Sequence, residues 1–263
     1  MATYNKRGYK APKPQEEENE FEQDPIDAIS EKDSTTAGVF NSLDEGASRT
    51  EEWVAKNQKG IFIFIGVVAV AALGYLGYNQ FVAEPKENEA AENMFQAQQH
   101  FQQAADATDV KVSDSLYALS LKGAEGKLGF IKIAEDFSGT DAGNIANYNA
   151  GIALLNTKKY KEAIEYLEKF KSNDAVIASV AKGAIGDAYS QLNQPKEALD
   201  FYVKAAELNK NEVTSPRFLL KAGQTALVLK QNADALKYFT EIKEKYEMAP
   251  EAQNIDALIG LAQ

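Results

Sequence analysis

The sequence predicts an all-α protein in which one N-terminal apolar helix crosses a membrane and leads into an α-solenoid of about three to four helical hairpins plus a closing helix. Three observations carry this expectation. Residues 60–78 contain no charge, a pair of small residues recurs three times at a fixed interval, and polar turns fall between the members of each pair.

Charge and composition set the frame. The 263 residues hold 28 Lys/Arg against 39 Asp/Glu, a net charge of -11, and 44% of them are apolar. Neither flank of the apolar run is basic: residues 1–59 carry eight cations and thirteen carboxylates, residues 83–263 carry twenty and twenty-six. Nucleic-acid binding needs a cationic surface that displaces counterions from phosphates. Beyond Lys6, Arg7, Lys10 and Lys13 no cluster offers one, so a nucleic-acid partner is set aside. Cysteine is absent, which removes disulfides, thiolate metal sites and cysteine nucleophiles. The one histidine, His100, lies in the polar stretch 96–103, where a solvated helical position is expected, so histidine-based triads and metal sites lack their parts. With no glycine-rich phosphate loop either, the expectation is a non-catalytic chain without a cofactor.

Residues 1–34 mix prolines, a basic start and an acidic run without apolar periodicity, which predicts a disordered arm. Over residues 35–59, Val39, Phe40, Leu43, Ala47 and Val54 fall at helical intervals and predict an amphipathic lead-in helix or helices. The stretch 60–82, GIFIFIGVVAVAALGYLGYNQFV, would reach about 30 to 35 Å as a helix, enough to span the hydrocarbon core of a bilayer. Trp53 precedes it and Tyr75, Tyr78 and Phe81 crowd its end, the positions where amphipathic rings meet the water boundary. Arg49, Lys56 and Lys59 lie just before the span, whereas Glu84, Glu87 and Glu89 outweigh Lys86 just after it. Positive flanks stay in the cytoplasm, so the arm is expected there and residues 83–263 on the far side. Gly66, Ala69, Gly74 and Gly77 leave open whether a neighbouring helix packs on the span.

Beyond the membrane segment, Gly151 and Ala163, Gly186 and Ala198, and Gly223 and Ala235 are each twelve residues apart, and successive glycines follow at 35 and 37. Four residues beyond each alanine stands a large apolar residue, Leu167, Tyr202 or Phe239. Two antiparallel helices approach closely only where a side chain is nearly absent, and the large residue fills the space beside that contact. A period near 34 with this spacing is the tetratricopeptide (TPR) pattern. The turns NTKKYKEA, LNQPKEA and KQNADA fall between the paired residues, with Pro195 at the start of a second helix and Pro216 and Pro250 expected to open first helices. Upstream, residues 88–107 and 115–137 predict a degenerate hairpin, and residues 249–263 a closing helix.

With anchor and repeats placed, the chain resembles the YfgM-like family, membrane-anchored TPR-like ancillary subunits of the bacterial Sec translocon. The resemblance covers residues 50–263. It rests on EEWVAKNQKG entering the membrane, a tyrosine-rich exit, the polar helix AAENMFQAQQHFQQAA, and KIAEDFSGTDAGNIANYNAGIALL leading into the repeats. The arm before residue 50 is longer than the family's short cytoplasmic tail. The resemblance implies an inner-membrane protein with a periplasmic TPR domain beside the translocon channel, working with a membrane-anchored chaperone of the PpiD type on unfolded secretory clients. The residues themselves predict a binding module whose concave face, lined by first helices, includes Tyr148, Ile152, Asp187, Gln191, Arg217 and Gln224. These are expected to be exposed side chains that contribute little to stability. An envelope scaffold organising outer-membrane assembly or cell-wall enzymes uses the same physics and stays open as an alternative.

Overall fold

The computed structural model describes residues 35–263, with side chains from residue 46 onward, so the arm expected over 1–34 lies outside the described residues. The chain divides into two compact units, Met1–Val70 and Ala71–Gln263. Every regular element among the described residues is helical.

The lead-in and the apolar run form one helix, α1 (Thr35–Tyr78), rather than separate pieces. Its sequence contains no proline, and isolated glycines do not stop a helix this rich in strong helix formers. Phe62, Ile63, Phe64, Ile65, Val67, Val68 and Val70 all stand exposed. The helix is long and apolar enough to cross a membrane. After Tyr78 the backbone widens into a π turn, Asn79–Ala83, where the Glu84 N–H donates to the Asn79 carbonyl five residues back. Pro85, in the first turn of the next helix, supplies the reason. Its ring would collide with the carbonyl four residues earlier and it has no N–H to give, and a widened turn accommodates both.

Three helices precede the repeats: α2 (Glu84–Asp106), α3 (Val110–Lys122) and α4 (Phe130–Asp136). The single helix expected over 115–137 is therefore broken. Gly123, at φ +87°, and Gly129 lie so close to each other's strand of backbone that a Cβ on either would overlap Lys127 or Leu121 main-chain atoms. Only glycine permits that crossing. Phe101 of α2 meets Tyr117 of α3 and Phe130 of α4 edge-on, with ring centroids 5.4 and 5.9 Å apart. His100 is not solvated as expected. It is half-buried, both ring nitrogens are screened from water without a hydrogen-bond partner, and so is Oε1 of Gln96 one turn earlier. The helix that carries it, α2, packs against α3, α4 and α5.

Six helices then form three antiparallel hairpins: α5 (Asp141–Asn156) with α6 (Tyr160–Lys169), α7 (Ala175–Gln191) with α8 (Pro195–Leu208), and α9 (Thr214–Val228) with α10 (Asn232–Lys245). Glu87 of α2 ties the first hairpin to the preceding helices. Its carboxylate accepts from the Asp141 and Ala142 N–H groups at 2.7 and 2.8 Å, while Thr140 Oγ1 accepts from Gly143 at 2.9 Å. Together they satisfy the amides that α5 leaves free at its start. Each first helix ends in the same way. Lys158, Asn193 and Lys230 adopt φ of 65°, 58° and 61°, and the following N–H reaches back to Leu154, Tyr189 or Ala226 at 2.8 to 3.0 Å. This left-handed cap turns the chain into the second helix.

The glycine register determines the packing. A Cβ on Gly151 would sit 2.5 Å from Leu167 Cγ, one on Gly186 2.7 Å from the Tyr202 ring, and one on Gly223 against the Phe239 ring. Ala163, Ala198 and Ala235 are fully buried at the same crossings. Pro216 falls within the first turn of α9, where its missing N–H costs nothing. Pro250 opens a 3-10 turn, Pro250–Ala252, and the closing helix α11 (Ile255–Ala262) begins only after Asn254 takes a left-handed conformation.

Candidate protein-binding face

The six face residues lie on the first helices α5, α7 and α9, and the structure differentiates them. Tyr148 is half-buried with its ring 5.0 Å from that of Phe170. Burial raises its hydroxyl above the ordinary tyrosine range and the positive charge of Arg217 opposes the shift. The three first helices are neighbours, because α7 packs against both α5 and α9. Arg217 is exposed, its guanidinium 5.8 Å from the Phe218 ring. Ile152 is half-buried against the cluster of Ile164, Leu167, Ala184 and Ile185. Gln191 is exposed and accepts a long, 3.4 Å hydrogen bond from the Tyr160 hydroxyl. Gln224 is exposed in an open groove with Ser190, Lys221, Thr225 and Val228.

Asp187 departs from the expectation of a solvated side chain. It is half-buried and accepts from the Tyr202 hydroxyl at 2.8 Å and from Lys221 Nζ at 2.5 Å. The carboxylate thus joins α7 to the second helix of its own hairpin and to the first helix of the next. Burial first, then the Asp187 charge and hydrogen bond, push the Tyr202 hydroxyl far above its ordinary range, so it stays protonated and donates. The cost of removing Asp187 would therefore fall on stability as well as on any binding.

Two contributors escaped the sequence reading. Lys221 neutralises Asp187, whereas Arg217 on the same helix stands exposed. Gly183 lies against the Phe218 ring of the next hairpin, closely enough to exclude a Cβ. Its signal was available: Gly183 stands three residues before Gly186, on an adjacent part of the same helix.

Antiparallel helix pairs stacked in register, with first helices forming a shared polar and aromatic surface, define a helical-repeat module of the kind that holds other proteins. The tetratricopeptide repeat family matches the chain at residues 146–175 and 181–212, and the chain is a TPR-containing protein. The third hairpin, α9 and α10, repeats the geometry outside the matched residues. No curated protein matches the chain.

Proposed function

We propose that this chain is a non-catalytic adaptor, anchored in the bacterial inner membrane by residues 60–82, which holds protein partners on the first-helix face of its repeats. The observation that carries the reading is that face. Tyr148 on α5, Gln191 on α7, and Arg217 and Gln224 on α9 all lie on first helices, α7 packs against both α5 and α9, and Gln191, Arg217 and Gln224 stand exposed. An aromatic ring, a guanidinium and two amides suit an extended or protruding polypeptide segment, because they supply apolar area and directional hydrogen bonds together. The flanking charges support an arm over 1–34 and a lead-in over 35–59 on the cytoplasmic side, with residues 83–263 in the periplasm. The resemblance to YfgM-like proteins supports the finer assignment: an ancillary subunit of the Sec translocon channel, passing secreted proteins to an anchored chaperone of the PpiD type.

Purification of the full chain from membranes in mild detergent tests this. Recovery of the Sec channel and an anchored periplasmic chaperone, both lost from an Arg217→Ala, Gln224→Ala variant with an unchanged melting temperature, is the expected result. Recovery of neither from the parent chain would overturn the translocon assignment.

A further inference from the structure

A fourth glycine continues the register. Gly260 follows Gly223 by 37 residues, the separation between Gly186 and Gly223, and lies on α11, which packs on α10 through Ile255, Leu258, Ile259 and Ala262 as a further first helix would. At Gly151, Gly186 and Gly223 the missing Cβ is replaced by Leu167, Tyr202 or Phe239 of a second helix. At Gly260 nothing lies within 4 Å. Ala257, Gly260 and Leu261 face solvent together, with Leu261 68% exposed. The repeat interface therefore continues onto α11 and presents an open notch, and the three internal precedents define what fits it: a helix bearing an alanine and, four residues on, a large apolar side chain.

The same molecule displays such a helix unused. On α2, Ala91 and Phe95 are four residues apart, both face solvent, and Phe95 is 71% exposed. We propose that the notch on α11 is covered by α2 of a second copy of this chain, with Phe95 entering beside Gly260 as the three large residues enter beside their own glycines. The contact joins α2 of one copy to α11 of another, so it closes into a pair where a two-fold axis repeats it and otherwise generates a ring or a row. It uses neither Tyr148 nor Arg217, so it stands apart from the first-helix face.

Because the sequence contains no cysteine, introduced thiols report on this contact alone. Two full-length variants with different tags, Gln98→Cys one turn beyond Phe95 and Ala257→Cys one turn before Gly260, are co-expressed and their membranes treated with a mild oxidant. A disulfide joining the two tags is expected, with little product from either variant alone. Adding Gly260→Leu to the Ala257→Cys chain should abolish the joined product while leaving the melting temperature of the chain in detergent unchanged, since no atom lies near that glycine. Phe95→Ser in the other chain should do the same. Absence of the joined product, equal products from a single variant, or a joined product that survives Gly260→Leu would each overturn the proposal.

Discussion

Replacing Gly186 by alanine isolates the contact on which the repeat architecture depends. The new Cβ would lie 2.7 Å from two Tyr202 ring carbons and 3.3 Å from the Ala198 carbonyl. Neither neighbour yields easily, because the Tyr202 hydroxyl is held by Asp187 and the carbonyl is helix backbone. Overpacking of this kind costs about 1 to 3 kcal/mol. Alanine in a helix interior gains about 1 kcal/mol over glycine. The net loss is then about 1 kcal/mol at the middle of the range, which lowers the melting temperature by roughly 2 to 4 °C for a domain of this size. A double-mutant cycle with Tyr202→Ala makes the reasoning strict. Tyr202→Ala alone should cost about 3 to 5 kcal/mol, but in its presence Gly186→Ala should become stabilising, since the colliding ring is gone. Thermal and denaturant unfolding of the full chain in detergent measure all four corners. If Gly186→Ala stabilises the parent, or if the two changes are additive, the helix crossing is not where the register places it.

The left-handed caps at Lys158 and Lys230 place a Cβ where glycine is preferred, so Lys230→Gly should raise stability by about 0.5 to 1 kcal/mol. Lys237→Gly within α10 should lower it by about 1 kcal/mol, and a denaturant titration distinguishes the two signs. Glu87→Ala removes the carboxylate from the start of α5 and should cost about 1 kcal/mol, with the effect weakened in high salt. Tyr202 holds its proton more tightly folded than unfolded, so its contribution is complete below about pH 10 and is lost as the pH rises above it. Tyr202→Phe should therefore lose about 1 kcal/mol near neutrality and show a shallower decline in alkali.

Much of the fold was legible because close packing dictates residue identity. A helix crossing that admits no Cβ demands glycine, and the space beside it demands a large residue at a fixed offset, so Gly186, Ala198 and Tyr202 announced their contact from spacing alone. The uncharged run from residue 60 to 78 was legible as a helix long and apolar enough to cross a membrane, since composition and length alone decide that property. What escaped depends on partners distant in sequence. Nothing near Gly129 signals that its backbone passes against Leu121, so the break between α3 and α4 went unseen. Asp187 looked like a solvated face residue because its partner Lys221 lies 34 residues away on another hairpin. His100 looked solvated because its neighbours in sequence are largely polar, whereas it lies on a helix that packs against α3, α4 and α5. The six face residues lie on the first helices α5, α7 and α9, but their burial is decided by side chains the register does not see.

The central claim, that the first-helix face holds a second polypeptide, is tested most directly by photocrosslinking in native membranes. A benzophenone amino acid placed at Gln191, Arg217 or Gln224 probes the face, and the same group at Glu207 or Lys237, exposed on the second helices, serves as the comparison. The account predicts discrete adducts of the full chain from the three face positions and none from the two outer ones. Adducts of equal yield from Glu207 and Lys237, or none from the face, would contradict it.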